Sequence, residues 1–220
     1  KRGLILMATV SNIVILSRTK MAGDKICVGG YCCTNDKYVR LLSEKAQALH
    51  SDEPYEIGDI YRIKYAPLYA NRIEPPHIED IVIYEQRFIE TLDKDVFMDK
   101  YINELSIECD HIKNLFEEKL HWTNSKGYLL ESDIPSSSVV IARLSHTLEK
   151  KKDEDSFFYI DRSIKFFPQT YAVKYVGEEE YSGNIVLPAG TAIRFSLARW
   201  WDMKGNGEYR SYLQLSGFYV

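Results

Sequence analysis

An indole beside a guanidinium is a pairing suited to a flat, charged ligand, since the ring stacks a base and the cation meets the phosphate. The segment from Leu187 to Tyr219 supplies both, with Arg194, Arg199, Trp200 and Trp201 close together. Ile193, Phe195 and Leu197 alternate with Arg194, Ser196 and Ala198, the period of a half-buried strand. The run Asp202 to Glu208 then holds Gly205, Asn206 and Gly207, residues that tolerate positive φ, and Tyr209 to Tyr219 alternates again. This pattern predicts a β-hairpin. Neighbouring strand residues face opposite ways, so only one of Trp200 and Trp201 can lie fully in a core. The other is either a stacking platform or covered by another element.

A second group of candidates surrounds the turn after the first strand-like run. Arg18, Lys20 and Lys25 flank Gly23, and Tyr38 with Arg40 is expected on the same sheet face. The competing reading is a solvated hairpin with one aromatic packed at its edge. Charge is unevenly spread: residues 1–72 hold 11 basic and 7 acidic side chains, residues 73–155 hold 10 and 19, and residues 156–220 hold 7 and 6. The net charge of −4 therefore comes from the middle of the chain. Both ends can bind phosphate locally, without a strong sequence-independent attraction.

Catalytic patterns are missing. The sequence has no G-x-S-x-G, Walker A, H-E-x-x-H or Gly-rich dinucleotide loop. Glu178, Glu179 and Glu180 read as a hairpin tip, not as a paired acid and base. Cys27, Cys32, Cys33 and Cys109 make no disulfide framework and, with His111, match no zinc spacing, so reduced thiols are expected. His77 next to Glu79 and Asp80 invites a metal reading, but the preceding prolines favour a surface loop. No metal and no cofactor is expected.

The elements that must carry these residues are short strands. Ser11–Leu16, Lys25–Cys33, Lys37–Leu42, Tyr55–Tyr65 and Ile81–Ile89 are five such runs, enough for a small barrel, with Gly58 as a bulge or bend. From Asp93 the spacing becomes helical: Val96, Phe97, Tyr101, Ile102 and Leu105, then Ile112, Leu115, Phe116 and Leu120, predict two helices of about three turns with charged outer faces. Strand character returns at Tyr128–Leu130 and Val139–Leu144, and the charged run 149–155 reads as a surface loop. Phe157–Ile160, Ile164–Phe167, Ala172–Val176 and the last hairpin complete a second strand set. The expected fold is mainly β (α+β): an OB-like barrel over 7–92, a helical connector over 93–127 and a second OB-like barrel over 128–220. No clean internal repeat is visible, so this duplication rests on strand count.

The runs ILSRTKMAGDKICVGG and YVRLLS near the start, and LPAGTAIRFSLARWW with YLQLSGFY near the end, resemble bacterial proteins described as dual OB-domain-containing. The resemblance covers about half the chain and does not include the helical middle. It implies two OB-like barrels, a bacterial cytoplasmic setting and nucleic-acid binding, with some relatives in mobile-element or defence contexts. The reading that follows is a non-enzymatic protein that binds single-stranded or structured nucleic acid. Arg18, Lys20, Lys25, Tyr38 and Arg40 serve in the first barrel, and Arg194, Arg199, Trp200 and Trp201 in the second. An adaptor module whose partner is a protein, and a sensor of a small nucleotide, are the alternatives. No apolar run reaches the ~18 residues of a membrane span. Ser11 and Asn12 interrupt the apolar start, so Met7 is read as the initiator and residues 1–6 as upstream sequence.

Overall fold

Runs rich in Val, Ile, Thr and Tyr that are bounded by turn residues form strands throughout the computed structural model, which describes residues 8–68, 73–151, 154–161, 168–178, 183–202, 205 and 207–220. The chain divides into two compact units between Phe97 and Met98. In the first, the strands are β1 (Thr9–Lys20), β2 (Lys25–Cys32), β3 (Lys37–Leu42), the two-residue β4 (Leu49–His50), β5 (Asp59–Pro67) and β6 (Asp80–Thr91). The strand β1 pairs with β5 through its first half and with β2 through its second. Pairing then runs from β2 to β3, in parallel from β3 to β6, and back from β6 to β5, so five strands close a ring. Ile13, Ile15, Ile26, Val28, Leu41, Tyr55 and Ile63 fill it.

One strand can serve two neighbours only by bending. The register of β1 against β2 slips between Ile15 and Ser17, opposite Gly30 and Gly29. A bulge there raises the twist and turns β1 around the ring. Gly30 makes the close approach possible, because a Cβ on it would meet Ile13 Cγ2 at 2.6 Å and the Val14 carbonyl oxygen at 2.9 Å. Gly58, with φ of 92°, lies in the turn before β5 and not within a strand.

The second unit repeats this path. Its strands are β7 (Ser106–Cys109), β8 (His121–Thr123), β9 (Lys126–Leu130), β10 (Val139–Leu144), β11 (Leu148–Lys150), β12 (Ser156–Asp161), β13 (Gln169–Tyr175), β14 (Ile185–Leu187), β15 (Ala192–Leu197) and β16 (Arg210–Tyr219). Together β10 and β11 act as one interrupted first strand, β10 pairing with β15 and β11 with β12. From β12 the pairing passes to β13, in parallel to β16, and antiparallel to β15. The same order therefore recurs, including the single parallel step. A hairpin of β8 and β9 is added, its β9 lying against both β16 and β13, while β7 runs parallel to β10. Leu129, Ala142, Phe157, Val173, Phe195 and Leu215 belong to its core.

The middle of the chain departs from its sequence pattern. Asp93 Oδ1 accepts from the Asp95 N–H and starts α1 (Lys94–Phe97), which runs into a π-helix over Met98–Asn103. The second expected helix does not form. Ile112–Asn114 and Phe116–Glu118 are 3₁₀ turns, and Phe116, Glu117 and Glu118 all have φ between 54° and 62°. The apolar spacing is real, because Ile112, Leu115, Phe116 and Leu120 enter the second core, but an irregular path delivers them. The Glu117 carboxylate fixes that path by accepting from Lys119 Nζ and the Ser136 N–H, and these bonds hold it down at about 2. Residues 93–127 are thus no separate helical connector, since most of them join the second unit. Of the charged run, Glu149 and Lys150 belong to strand β11, and the expected strand Ile164–Phe167 lies outside the described residues. The expected tip Glu178 to Glu180 is described only at Glu178.

The bend in β1 generates a test. Gly30→Ala should cost about 1–3 kcal/mol in urea unfolding, because backbone and core must shift. Gly217→Ala, where a Cβ meets nothing within 4 Å, should be nearly neutral by the same measurement.

Candidate nucleic-acid interface

The basic group predicted in the first barrel turns out to be mostly architecture. The Arg18 guanidinium donates to the carbonyls of Ser51, Glu53 and Tyr55 at 2.6–2.9 Å and lies 3.5 Å from Glu56. It clamps the segment that carries the fully buried Tyr55 ring into the core. Arg40 forms a two-pronged bond with Asp80, both contacts at 2.5 Å, across the parallel β3–β6 step. Asp80 is 3% exposed, and burial pushes its carboxyl up from the ordinary value against the pull of Arg40. Tyr38 is half-buried and meets Tyr31 edge to face at 6.1 Å. Lys20 and Lys25 are exposed at the two ends of the β1–β2 turn. His77, expected in a surface loop, is 2% exposed. Among the described residues there is no group of three metal-ligating side chains and no disulfide between the four cysteines.

In the second barrel the final hairpin separates its cations and indoles. Arg194 is buried, its Nη1 donating to Ser216 Oγ at 2.7 Å, so it is no ligand contact. The alternation of β15 misled because Ala192 to Phe195 are all buried, on both faces of the strand. Trp200 packs against the core, whereas Trp201 is 56% exposed. Trp201 and Arg210 bond each other's backbones at 3.0 and 3.1 Å, which ties off the loop between them.

Trp201 and Arg199 border a cleft of about 530 Å³. Its floor comes from β9, β13 and β16, where Arg210, Tyr212 and Gln214 share the outward side of an alternating strand. The Trp201 and Tyr212 rings lie 6.3 Å apart, and those of Tyr212 and Tyr128 5.9 Å apart. The Arg210 guanidinium sits 4.2 Å above the Tyr128 ring and is oriented by Glu208, its Nε donating at 2.7 Å. Three rings thus form a row. Lys126, Lys174, Arg199 and Arg210 line the cleft against one carboxylate, Asp155, which lies 3.4 Å from Lys174. The sequence reading missed Lys126, Tyr128, Lys174, Arg210 and Tyr212. The outward phase of β16 could have pointed to Arg210 and Tyr212, but the pairing that brings in β9 is not local and leaves no sequence signal.

The cleft also has a defined place in the ring. Numbered along the ring-forming strands, both units show the order 1-2-3-5-4-1 with a parallel 3–5 step, which defines a protein built of two OB-type barrels. In this fold the loops after strands 1 and 4 flank the ligand face. Asp155 and Ser156 lie where β11 leads into β12, and Ala198, Arg199 and Trp201 follow β15. The chain belongs to the dual OB-containing domain family, whose profile matches residues 11–218. No curated protein matches the sequence. Two solved structures align over nearly its whole length. One, described as "Molecular basis for abrogation of activation of pro-inflammatory cytokines", has 14% identity and a TM-score of 0.35, covering 99% of this chain and 97% of that one. The other, "Structural mimicry for functional antagonism", has 16% identity and a TM-score of 0.32, covering 98% and 91%. At those scores neither carries a functional argument.

The buried ion pair separates structure from binding. Arg40→Met should cost about 3–5 kcal/mol in chemical unfolding, since it leaves Asp80 buried without its counter-charge. In that variant the folded-state pKa of Asp80 lies above its unfolded value, so protonation favours the folded state. The loss should be full at neutral pH and shrink as pH falls through the raised pKa.

Proposed function

We propose that the protein binds single-stranded nucleic acid in the cleft of its second barrel. The row of Trp201, Tyr212 and Tyr128, bordered by four basic side chains, is the observation that supports this reading. An exposed indole has no packing reason to stand on a strand end, and a base stacked on it returns about 1–3 kcal/mol. Arg199, Lys126 and Lys174 answer the phosphates on either side of a stacked base. Arg210 already sits over the Tyr128 ring and adds a cation beside the row. The two OB loops frame the cleft, as expected for a ligand face. Trp200 and Arg194 take no part, and the arginines Arg18 and Arg40 belong to the first barrel's framework.

Fluorescently labelled single strands, titrated at two salt concentrations, test this. Affinity should fall as salt rises, because bound phosphates release counterions. Trp201→Ala should weaken binding by about 1–3 kcal/mol with the unfolding midpoint nearly unchanged. Trp200→Ala should instead lower stability while the remaining folded protein binds normally. Absence of binding at low salt, or equal affinity in Trp201→Ala and the wild type, overturns the assignment.

A further inference from the structure

The outer surface of the first barrel holds an arrangement that its own contacts leave unresolved. The register of β5 against β6 sets Arg62 directly opposite Arg87, and the register of β1 against β5 sets Asn12 on the other side of Arg62. All three residues are exposed. Directly opposed residues of an antiparallel pair have their Cβ atoms about 4.5–5.5 Å apart, and like charges placed there destabilise the sheet. Farther along the same ladder the ordinary solution is present, since Lys64 faces Glu85 and pairs with it at 2.5 Å. Arg62 and Arg87 have no such relief: neither forms a hydrogen bond or ion pair among the described residues. They differ in this from Arg18 and Arg40, whose guanidiniums are consumed by carbonyls and by Asp80.

The two arginines line one groove of about 340 Å³ together with Val10, Lys64, Glu85 and Gln86. Three of these six side chains are basic and one is acidic. We propose that Arg62 and Arg87 are a phosphate-binding site, their two forks closing on the oxygens of one phosphate group with the Asn12 amide beside them. A carboxylate has two oxygens and one charge, which a single guanidinium satisfies. A phosphate group offers more acceptor oxygens, enough for two planar forks, and a dianionic one cancels both charges. Phosphate thereby turns an unfavourable cross-strand pair into a bridged one. The site lies on strands β1, β5 and β6 of the first unit, and it stands or falls independently of the cleft in the second barrel.

The first experiment titrates inorganic phosphate, with chloride and acetate at matched ionic strength, and follows the melting temperature and the arginine Nε–H signals in NMR spectra. Phosphate should raise the melting temperature above both controls and shift the Arg62 and Arg87 signals. In phosphate-free buffer Arg87→Gln should melt at or above the wild-type temperature, because the repulsion is gone, and it should no longer respond to phosphate. Arg62→Gln should behave alike. Identical shifts with phosphate, acetate and chloride overturn the site, as does an undiminished phosphate response in both variants. A second arm identifies the source of the phosphate. A short oligonucleotide without terminal phosphates, bound at least about tenfold more weakly by Arg62→Gln/Arg87→Gln in a Trp201→Ala background, assigns the site to a phosphodiester backbone. A nucleoside monophosphate affected instead assigns it to a terminal phosphate, and no effect on either rejects a phosphorylated ligand. Because Trp201 is already removed, failure of the cleft reading leaves this outcome intact.

Discussion

Each barrel depends on a first strand that hydrogen-bonds to two different neighbours along its length. A straight strand cannot do this, because its two edges diverge from a closed ring as the sheet twists. The first unit meets the constraint with a bulge at Leu16 and a glycine opposite it, and the second meets it by breaking the strand between Leu144 and Leu148. Different local devices satisfy the same closure. That is why the duplication is plain in the pairing order and invisible as a sequence repeat: what is repeated is the order of neighbours, not the residues that permit it.

The fate of the arginines follows from this geometry. Ring closure leaves a parallel step between the third and fifth strands, and in the first barrel that step is fastened by Arg40 and Asp80. Arg18 holds in place the segment that carries Tyr55 into the core. On the second barrel Arg199 stays on the surface and Arg194 does not. A guanidinium has five donors, so whether it serves the fold or a ligand depends on which acceptors the chain brings within reach. Residue type and sequence spacing do not contain that information.

Local pattern did carry much of the architecture. Lys37–Leu42 and Val139–Leu144 form strands with the boundaries read from the sequence, and the last hairpin forms where glycines and an alternating run announce it. The failures share one cause, which is contact between residues far apart in the chain. Ile112 to Leu120 have helical spacing, yet Glu117 reaches Ser136 and bends the segment into turns. Of the cleft, Arg199 and Trp201 were legible. Lys126, Tyr128 and Lys174 were not, because they arrive on strands whose neighbours only the closed barrel defines.

The paired backbone bonds between Trp201 and Arg210 hold these two residues side by side, although they are nine positions apart in the chain. Mechanically they act as a buckle that fixes the spacing of the chain on either side. A buckled loop can lengthen, shorten or change composition while the strands that support it keep their register. For the proposed binding cleft, which Trp201 and Arg210 both line, the consequence is evolutionary. Preference among ligands can drift through most of residues 202–209, while the stacking row and the core behind it are inherited unchanged. Glu208 is the exception, because it orients Arg210 beside the cleft, so variation between Trp201 and Arg210 is expected to spare it.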